Sequence, residues 1–343
     1  MQPINISAAD SRTMSAGNAA LMGGTDAVQS GASSRYETAR DPSPGMADSF
    51  RLLLALDDDS VARAAARVTA ALSRSRGAIP TVLQVIEVNT YCTPDSFPEM
   101  TNAEELVVAV DSHHEYRDEL RARVSTLVGE PVDWRAQLDV GSDVQHIVRR
   151  AQDMDADLIV MGREHHGALW RALVGDTVRQ VATSGVAPVL AVTRNLESLP
   201  RHAVVGIDFS VSSIRAAEWA RRLLHPEGVL ELVYVAADGP FGAGADGVPA
   251  VETNQVLVRR IERDMDRLIA GLRMLPGMRA VVVRRSGNAA EQLRLHAESV
   301  GADLIGVGSH RYKFLERLTI GSVSAAILNT AVCSVLIAPP EPA

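Results

Sequence analysis

Asp208, Gly308, Gly321 and Ser322 are the residues of this chain whose types and spacing suit joint chemistry. Gly308 ends an apolar run, Gly321-Ser322 opens a segment with helical spacing, and the two glycines bracket a loop. Bare amides at a helix N-terminus, a Ser hydroxyl and glycines that let an anion come close are the parts of a phosphate site. Asp57, Gly162 and Gly175 hold the matching places in the N-terminal half, with Asp176-Thr177 where the C-terminal half has Ser322-Val323. A carboxylate at Asp176 repels an anion, so the second half is the stronger candidate. No GxxxxGK[ST] run occurs and no GxGxxG follows a first strand, so neither P-loop hydrolysis nor dinucleotide binding is supported.

Other polar residues are assigned less. His165-His166 have no Cys, Asp or Glu at ligand spacing and are expected to be solvated loop residues, as His113-His114 are on an exposed helix face. Asp57-Asp58-Asp59 could carry the Mg²⁺ of a nucleotide, but Asp58 and Asp59 fit solvated or capping roles better, leaving Asp57 as the site residue and no metal site of its own. Asp157 and Asp303 are expected in turns or caps, Cys333 as a small buried hydrophobe, and Trp134, Trp170 and Trp219 in the core or an interface. No nucleophile–base pair is visible, so enzyme activity is not expected to be the main function.

The elements that must position these residues occur twice. "ADLIVMG" at Ala156–Gly162 returns as "ADLIGVG" at Ala302–Gly308, an offset of 146 residues. The same offset links Gly141 to Gly287, Gly175 to Gly321 and Val189-Leu190 to Val335-Leu336, while Asp57 and Asp208 are 151 apart. Apolar runs predict strands at Arg51–Leu56, Thr81–Val88, Val132–Leu138, Asp157–Met161 and Val189–Val192. In the second copy they predict strands at Ala203–Ile207, Val229–Val235, Ala280–Arg284, Asp303–Val307 and Val335–Ala338. Helical spacing falls between them, as at Leu257, Ile261, Met265, Leu268 and Leu272. Strict alternation of strand and helix predicts an α/β fold, with two tandem Rossmann-like, doubly wound domains, each a five-stranded parallel sheet of order 3-2-1-4-5. Such a sheet binds its ligand at the carboxyl ends of strands 1 and 4, where Asp208 and Gly308 would stand. The expected units are a disordered tail at 1–48, a domain at 49–195 and a domain at 200–340.

Composition narrows the function. The 343 residues carry 34 basic and 42 acidic side chains, a net charge of −8, which argues against nucleic acid as a partner. Lys313 is the single lysine beside 33 arginines. Cys92 and Cys333 make no redox or ligand spacing, no secretory signal is visible, and no apolar run approaches a membrane span, so a cytoplasmic location is expected.

Over roughly Ser49–Ala338 each half resembles a universal stress protein domain, and the chain is similar to a tandem member of that family. The family pattern of Gly, two residues, Gly, nine residues, Gly and Ser or Thr is carried by Gly308, Gly321 and Ser322, and in the first half by Gly162 and Gly175. The resemblance implies ATP or a related adenine nucleotide, with or without Mg, bound mainly by Asp208, Val235, Gly308, Ser309, His310, Arg311, Gly321, Ser322 and Val323. The weaker first site would use Asp57, Val85, Gly162, Gly175 and Thr177. The chain departs from the pattern at Arg311 and Phe314, and at His165 and Asp176. Arg311 either obstructs the backbone approach of a phosphate or clamps it bidentately, with Lys313 adding charge. The resemblance also implies that the fifth strands pair antiparallel within one chain as a pseudo-dimer, with homodimerisation a further option. The expected function is a nucleotide switch with little turnover, in which occupancy orders the loop Ser309–Ile320 for an unidentified protein partner. The alternatives are a nucleotide-free scaffold and an enzyme of the adenine nucleotide hydrolase type, the latter opposed by the missing SGGxDS-like loop.

Overall fold

The computed structural model of the chain describes residues 4–5, 49–57, 61–86, 114–163, 177–236, 250–309 and 320–340. A two-residue strand, β1 (Ile4–Asn5), precedes the first repeat. Leu52, Leu53 and Leu54 are all fully buried, which an apolar run achieves only when both faces of its strand are covered. They form β2 (Arg51–Ala55), followed by α1 (Ala62–Arg76), β3 (Ile79–Ile86), α2 (His114–Val128) and β4 (Arg135–Val140). The repeat is completed by α3 (Asp143–Asp153), β5 (Leu158–Gly162), α4 (Thr177–Ser184) and β6 (Val189–Val192). The second repeat runs β7 (His202–Gly206), α5 (Val211–Leu223), β8 (Val229–Ala236), α6 (Ala250–Gly271) and β9 (Arg279–Ser286). Then come α7 (Ala289–Val300), β10 (Leu304–Gly308), α8 (Ser322–Thr330) and β11 (Ser334–Ala338).

The strands form one sheet in the order β1-β9-β8-β7-β10-β11-β6-β5-β2-β3-β4. Within each repeat the pairing is parallel and the order is the expected 3-2-1-4-5. Where the repeats meet, β11 and β6 pair antiparallel, with Val335 opposite Ala191 and Ile337 opposite Val189. One face of the sheet packs on α1, α2, α5 and α6, the other on α3, α4, α7 and α8.

The repeated glycines Gly141 and Gly287 have φ of +139° and +117°, turning the chain out of β4 and β9 into the following helices. That conformation is open to glycine and strained for other residues. Asp157 and Asp303 each fasten the amino end of the strands of their own repeat. The backbone N–H of Arg51 donates to Asp157 Oδ2 at 2.7 Å, and those of Arg201 and His202 donate to Asp303 Oδ2 at 2.7 and 3.0 Å. Both residues are therefore tied into turns, and β5 and β10 begin one residue later than the apolar runs suggested. The expected unstructured tail departs from the structure at Ile4–Asn5, which lie antiparallel on the open edge of β9. An edge strand offers unpaired amides and carbonyls to any segment that reaches it. The remainder of 1–48 is outside the described residues.

The repeats also touch through side chains. Phe50 and Trp219, both buried, meet edge to face at 5.4 Å, and the Arg222 guanidinium lies over both rings. Trp134 is buried as expected, and Trp170 falls outside the described residues. Cys333 is half-buried, and burial pushes its thiol up to about 11, against a smaller opposing effect of the nearby Arg163 charge.

Candidate functional site

The carboxyl ends of β7, β8 and β10 open onto a crevice of about 640 Å³, its mouth included, roofed by the first turns of α7 and α8. The cavity itself is about 130 Å³. Asp208, Val235, Gly308, Gly321, Ser322 and Val323 all line it, brought together from four stretches of sequence. Ser309 does not line it. Its backbone N–H extends the sheet by donating to Ala338 O at 2.8 Å, and the residue is buried. His310 and Arg311, and with them Lys313, Phe314 and most of the loop between β10 and α8, lie outside the described residues.

Each wall has a distinct chemistry. Val233, Val235 and Leu293 form an apolar side. Opposite, α8 begins at Gly321, which offers no side-chain cap, whereas α5 and α7 are capped by Ser210 and Asn288. The first amides of α8 thus carry the positive end of the helix dipole to the crevice with no side-chain cap from Gly321. Asp208 sits between the two walls. Its Oδ1 accepts from Ser210 N at 3.0 Å and from Ser210 Oγ at 2.6 Å, and Ser210 Oγ accepts from Ser213 N at 3.2 Å. The turn is tightened by Phe209, held at φ +62° and packed 6.0 Å from Tyr234. A left-handed non-glycine residue costs on the order of 1 kcal/mol and persists only where its surroundings fix it.

Gly308 is glycine for a reason the sequence did not disclose. A Cβ there would stand 2.6 Å from Ser212 C and Ser213 N and 2.7 Å from Ser212 Oγ. The first turn of α5 fills the space, and Ser324 Oγ donates to Gly308 O at 2.8 Å from α8. Gly308 is therefore a packing point between two helix N-termini and the strand they flank. Other lining residues escaped the sequence analysis: Gly206, Ile207, Ser213, Ala289, Leu293 and Ser324. Leu293 reads as one more member of an apolar helix stripe. The one available signal was Ala289, directly after the capping Asn288.

In the first repeat the strand registers place Ala55 where the second has Gly206, and Leu83 where it has Val233. The offset of 146 residues places Asp143 at the position of Ala289 and Met161 at that of Val307. Larger side chains, and a carboxylate in the first turn of α3, therefore stand at the positions equivalent to the crevice lining. Asp57, Val85, Gly162 and Thr177 are at strand ends or a helix start as expected, while Gly175, Asp176 and His165-His166 are outside the described residues. Among the described residues no three His, Cys, Asp or Glu side chains are arranged to hold a metal ion.

A buried charged network lies farther down the same face of the second repeat. Glu231 Oε1 is 2.6 Å from His202 Nε2 and its Oε2 is 2.6 Å from His296 Nε2, while Arg285 donates to His296 Nδ1 at 2.8 Å. Burial acts to raise the Glu231 carboxyl, but hydrogen bonds from the two histidines hold it below its ordinary value. In the first repeat, the offset of 146 residues matches Arg285 to Asp139 and His296 to Arg150, and these two pair at 2.9 Å with the charge order reversed.

Comparison with known proteins follows the same division. The model of the Universal stress protein family matches residues 49–193 and again 200–339. A universal stress protein of Mycobacterium tuberculosis (strain ATCC 25618 / H37Rv) is 29% identical over 192 residues, covering 54% of this chain and 62% of that protein. The chain thus spans less than two thirds of the length of that relative. A universal stress protein of Methanocaldococcus jannaschii is 25% identical over 151 residues, 43% of this chain and 86% of its own. Among solved structures, a universal stress protein from Archaeoglobus fulgidus DSM 4304 superposes with a TM-score of 0.60 at 17% identity, covering 85% of this chain and 97% of that one. A putative universal stress protein from Pseudomonas aeruginosa UCBPP-PA14 does so with a TM-score of 0.53 at 14% identity, covering 84% of this chain and 93% of that one. At these identities the structural likeness speaks for the fold.

Proposed function

The chain belongs to the universal stress protein family, and from that premise we propose that its second repeat binds ATP or a related adenine nucleotide as a regulatory switch. The observation that carries this reading is the pairing of an apolar wall with an uncapped helix N-terminus across one crevice. Val235 and Leu293 would take the flat base, Asp208 the ribose hydroxyls, and the amides of Ser322 and Val323 the phosphates, with Ser322 Oγ adding a donor. The nucleotide supplies negative charge that the α8 terminus is oriented to receive. Occupancy would change the surface beside the crevice and so the docking of a protein partner. The first repeat serves as scaffold, since Ala55, Leu83, Asp143 and Met161 leave less room and add a carboxylate.

Isothermal titration with Mg-ATP, beside a Gly321→Asp variant, tests this. Gly321 has φ −51° and ψ 154°, which Asp adopts without strain, and Asp is a favoured N-cap. The variant is expected to melt no lower than wild type and to lose the titration heat. Binding retained by the variant, or no heat from wild type at millimolar ATP, would overturn the proposal.

A further inference from the structure

Arg163 follows Gly162 at the end of β5, yet its side chain belongs to the other repeat. It is only 8% exposed. Its Nη1 donates to Leu328 O at 2.6 Å, and its Nη2 donates to Cys333 O at 3.1 Å and to Ala331 O. These carbonyls are at and just beyond the C-terminal end of α8, where helix carbonyls lack partners within the helix. The last turn of α8 has no basic residue of its own, so the guanidinium supplies from the first repeat the cation that the negative end of the dipole favours. The equivalent position in the second repeat is Ser309. The backbone N–H groups of Arg163 and Ser309 donate to Val192 O and Ala338 O, both at 2.8 Å, so the two residues occupy the same place in their sheets. The serine has no side chain long enough to return the contact, and the link runs in one direction only.

The other end of α8 is the wall of the crevice. Its nine residues span about 13 Å as a rigid rod. Toward the crevice end, Ser324 Oγ donates to Gly308 O, and at the far end Arg163 holds the carbonyls. We propose that Arg163 is a positioning residue by which the first repeat sets the placement of α8, and through it the ligand site of the second. Its affinity consequence rests on the nucleotide reading above, and its effect on α8 does not.

The test uses the full chain as wild type, Arg163→Gln and Arg163→Lys, each measured by amide hydrogen exchange and by titration with Mg-ATP. Arg163→Gln is expected to speed exchange of the α8 amides at least about tenfold while α5 and α7 of the same repeat keep their rates. It is also expected to weaken Mg-ATP binding about tenfold, a change of order one lost charge-assisted contact. Arg163→Lys keeps the charge without the fork and should recover part of both effects. If Arg163→Gln does not fold, Arg163→Lys against wild type makes the same comparison. Uniformly faster exchange with unchanged affinity would mean that Arg163 only stabilises the fold, and the proposal would be overturned, as it would by wild-type exchange in α8. If wild type binds no Mg-ATP, the nucleotide reading fails separately and the exchange pattern alone decides this one.

Discussion

Replacing Gly308 by Ala distinguishes two reasons for a glycine at the mouth of a ligand site. If Gly308 serves α5, the added methyl meets backbone atoms of Ser212 and Ser213 at 2.6 Å. Ordinary carbon contacts lie at about 3.5–4.0 Å, so the first turn of α5 must retreat by roughly 1 Å. Such overpacking costs about 1–3 kcal/mol, and the upper end applies because the obstacle is backbone and cannot change rotamer. For repeats of this size the loss corresponds to a melting temperature lower by about 5–10 °C. Two controls calibrate the number. In Gly306→Ala the new Cβ meets the Val205 side chain at 3.1 Å, which can yield, so the cost should be about 1 kcal/mol or less. In Gly271→Ala the Cβ meets nothing within 4 Å at the end of α6, and about 0.5 kcal/mol of stabilisation is expected. Urea unfolding followed by circular dichroism gives all three midpoints. A Gly308→Ala protein as stable as Gly306→Ala would refute the packing argument. So would one that keeps its stability and loses only Mg-ATP binding, because the glycine would then serve the ligand's approach.

The Glu231 carboxyl, held low in the folded chain, contributes stability that is present above the ordinary unfolded carboxylate value of about 4.3 and lost as pH falls through the lower folded value. Denaturant midpoints measured from pH 7 down to pH 3 should therefore fall more steeply for wild type than for Glu231→Gln, and parallel curves would contradict the assignment. The Cys333 thiol, pushed up to about 11, has on the order of one thousandth of its population as thiolate at pH 8, against about a quarter for a free cysteine. Iodoacetamide labelling followed by peptide mass spectrometry should accordingly find Cys333 at least about a hundredfold slower than a cysteine peptide, and comparable rates would show the group to be far less shielded.

The architecture was legible because its strands are buried on both faces, so Leu52–Leu54 and Val189–Val192 stand out as unbroken apolar runs, and because each run returns at a fixed offset. Asp208, Gly308 and Ser322 could be placed together since the carboxyl ends of a doubly wound sheet are where such residues converge. What escaped was set by contacts between segments far apart in sequence. Ser309 continues the pairing of β10 with β11 for one residue beyond the glycine, an extension no local pattern marks. Leu293 and Ala289 look like core positions of a helix until the helix is laid over β8. Arg163 gives no signal at all, because its partners are carbonyls more than 160 residues away and carbonyls are indifferent to side-chain identity. The buried Glu231 was hidden for the opposite reason: within the apolar run of β8 it looks like an interruption, and the histidines that accommodate it come from β7 and α7.

The antiparallel seam between β6 and β11 turns the two sets of strand ends toward opposite ends of one sheet. A symmetric pair of identical chains built this way must present the same face at both ends, and any side chain crossing the seam must cross it twice. Joining the copies in one polypeptide removes that obligation. One end can carry Leu83, Asp143 and Met161 where the other has Val233, Ala289 and Val307, and Arg163 can reach across without a counterpart at Ser309. The covalent link thus gives the molecule a front and a back, and lets the back become the lever that sets the front.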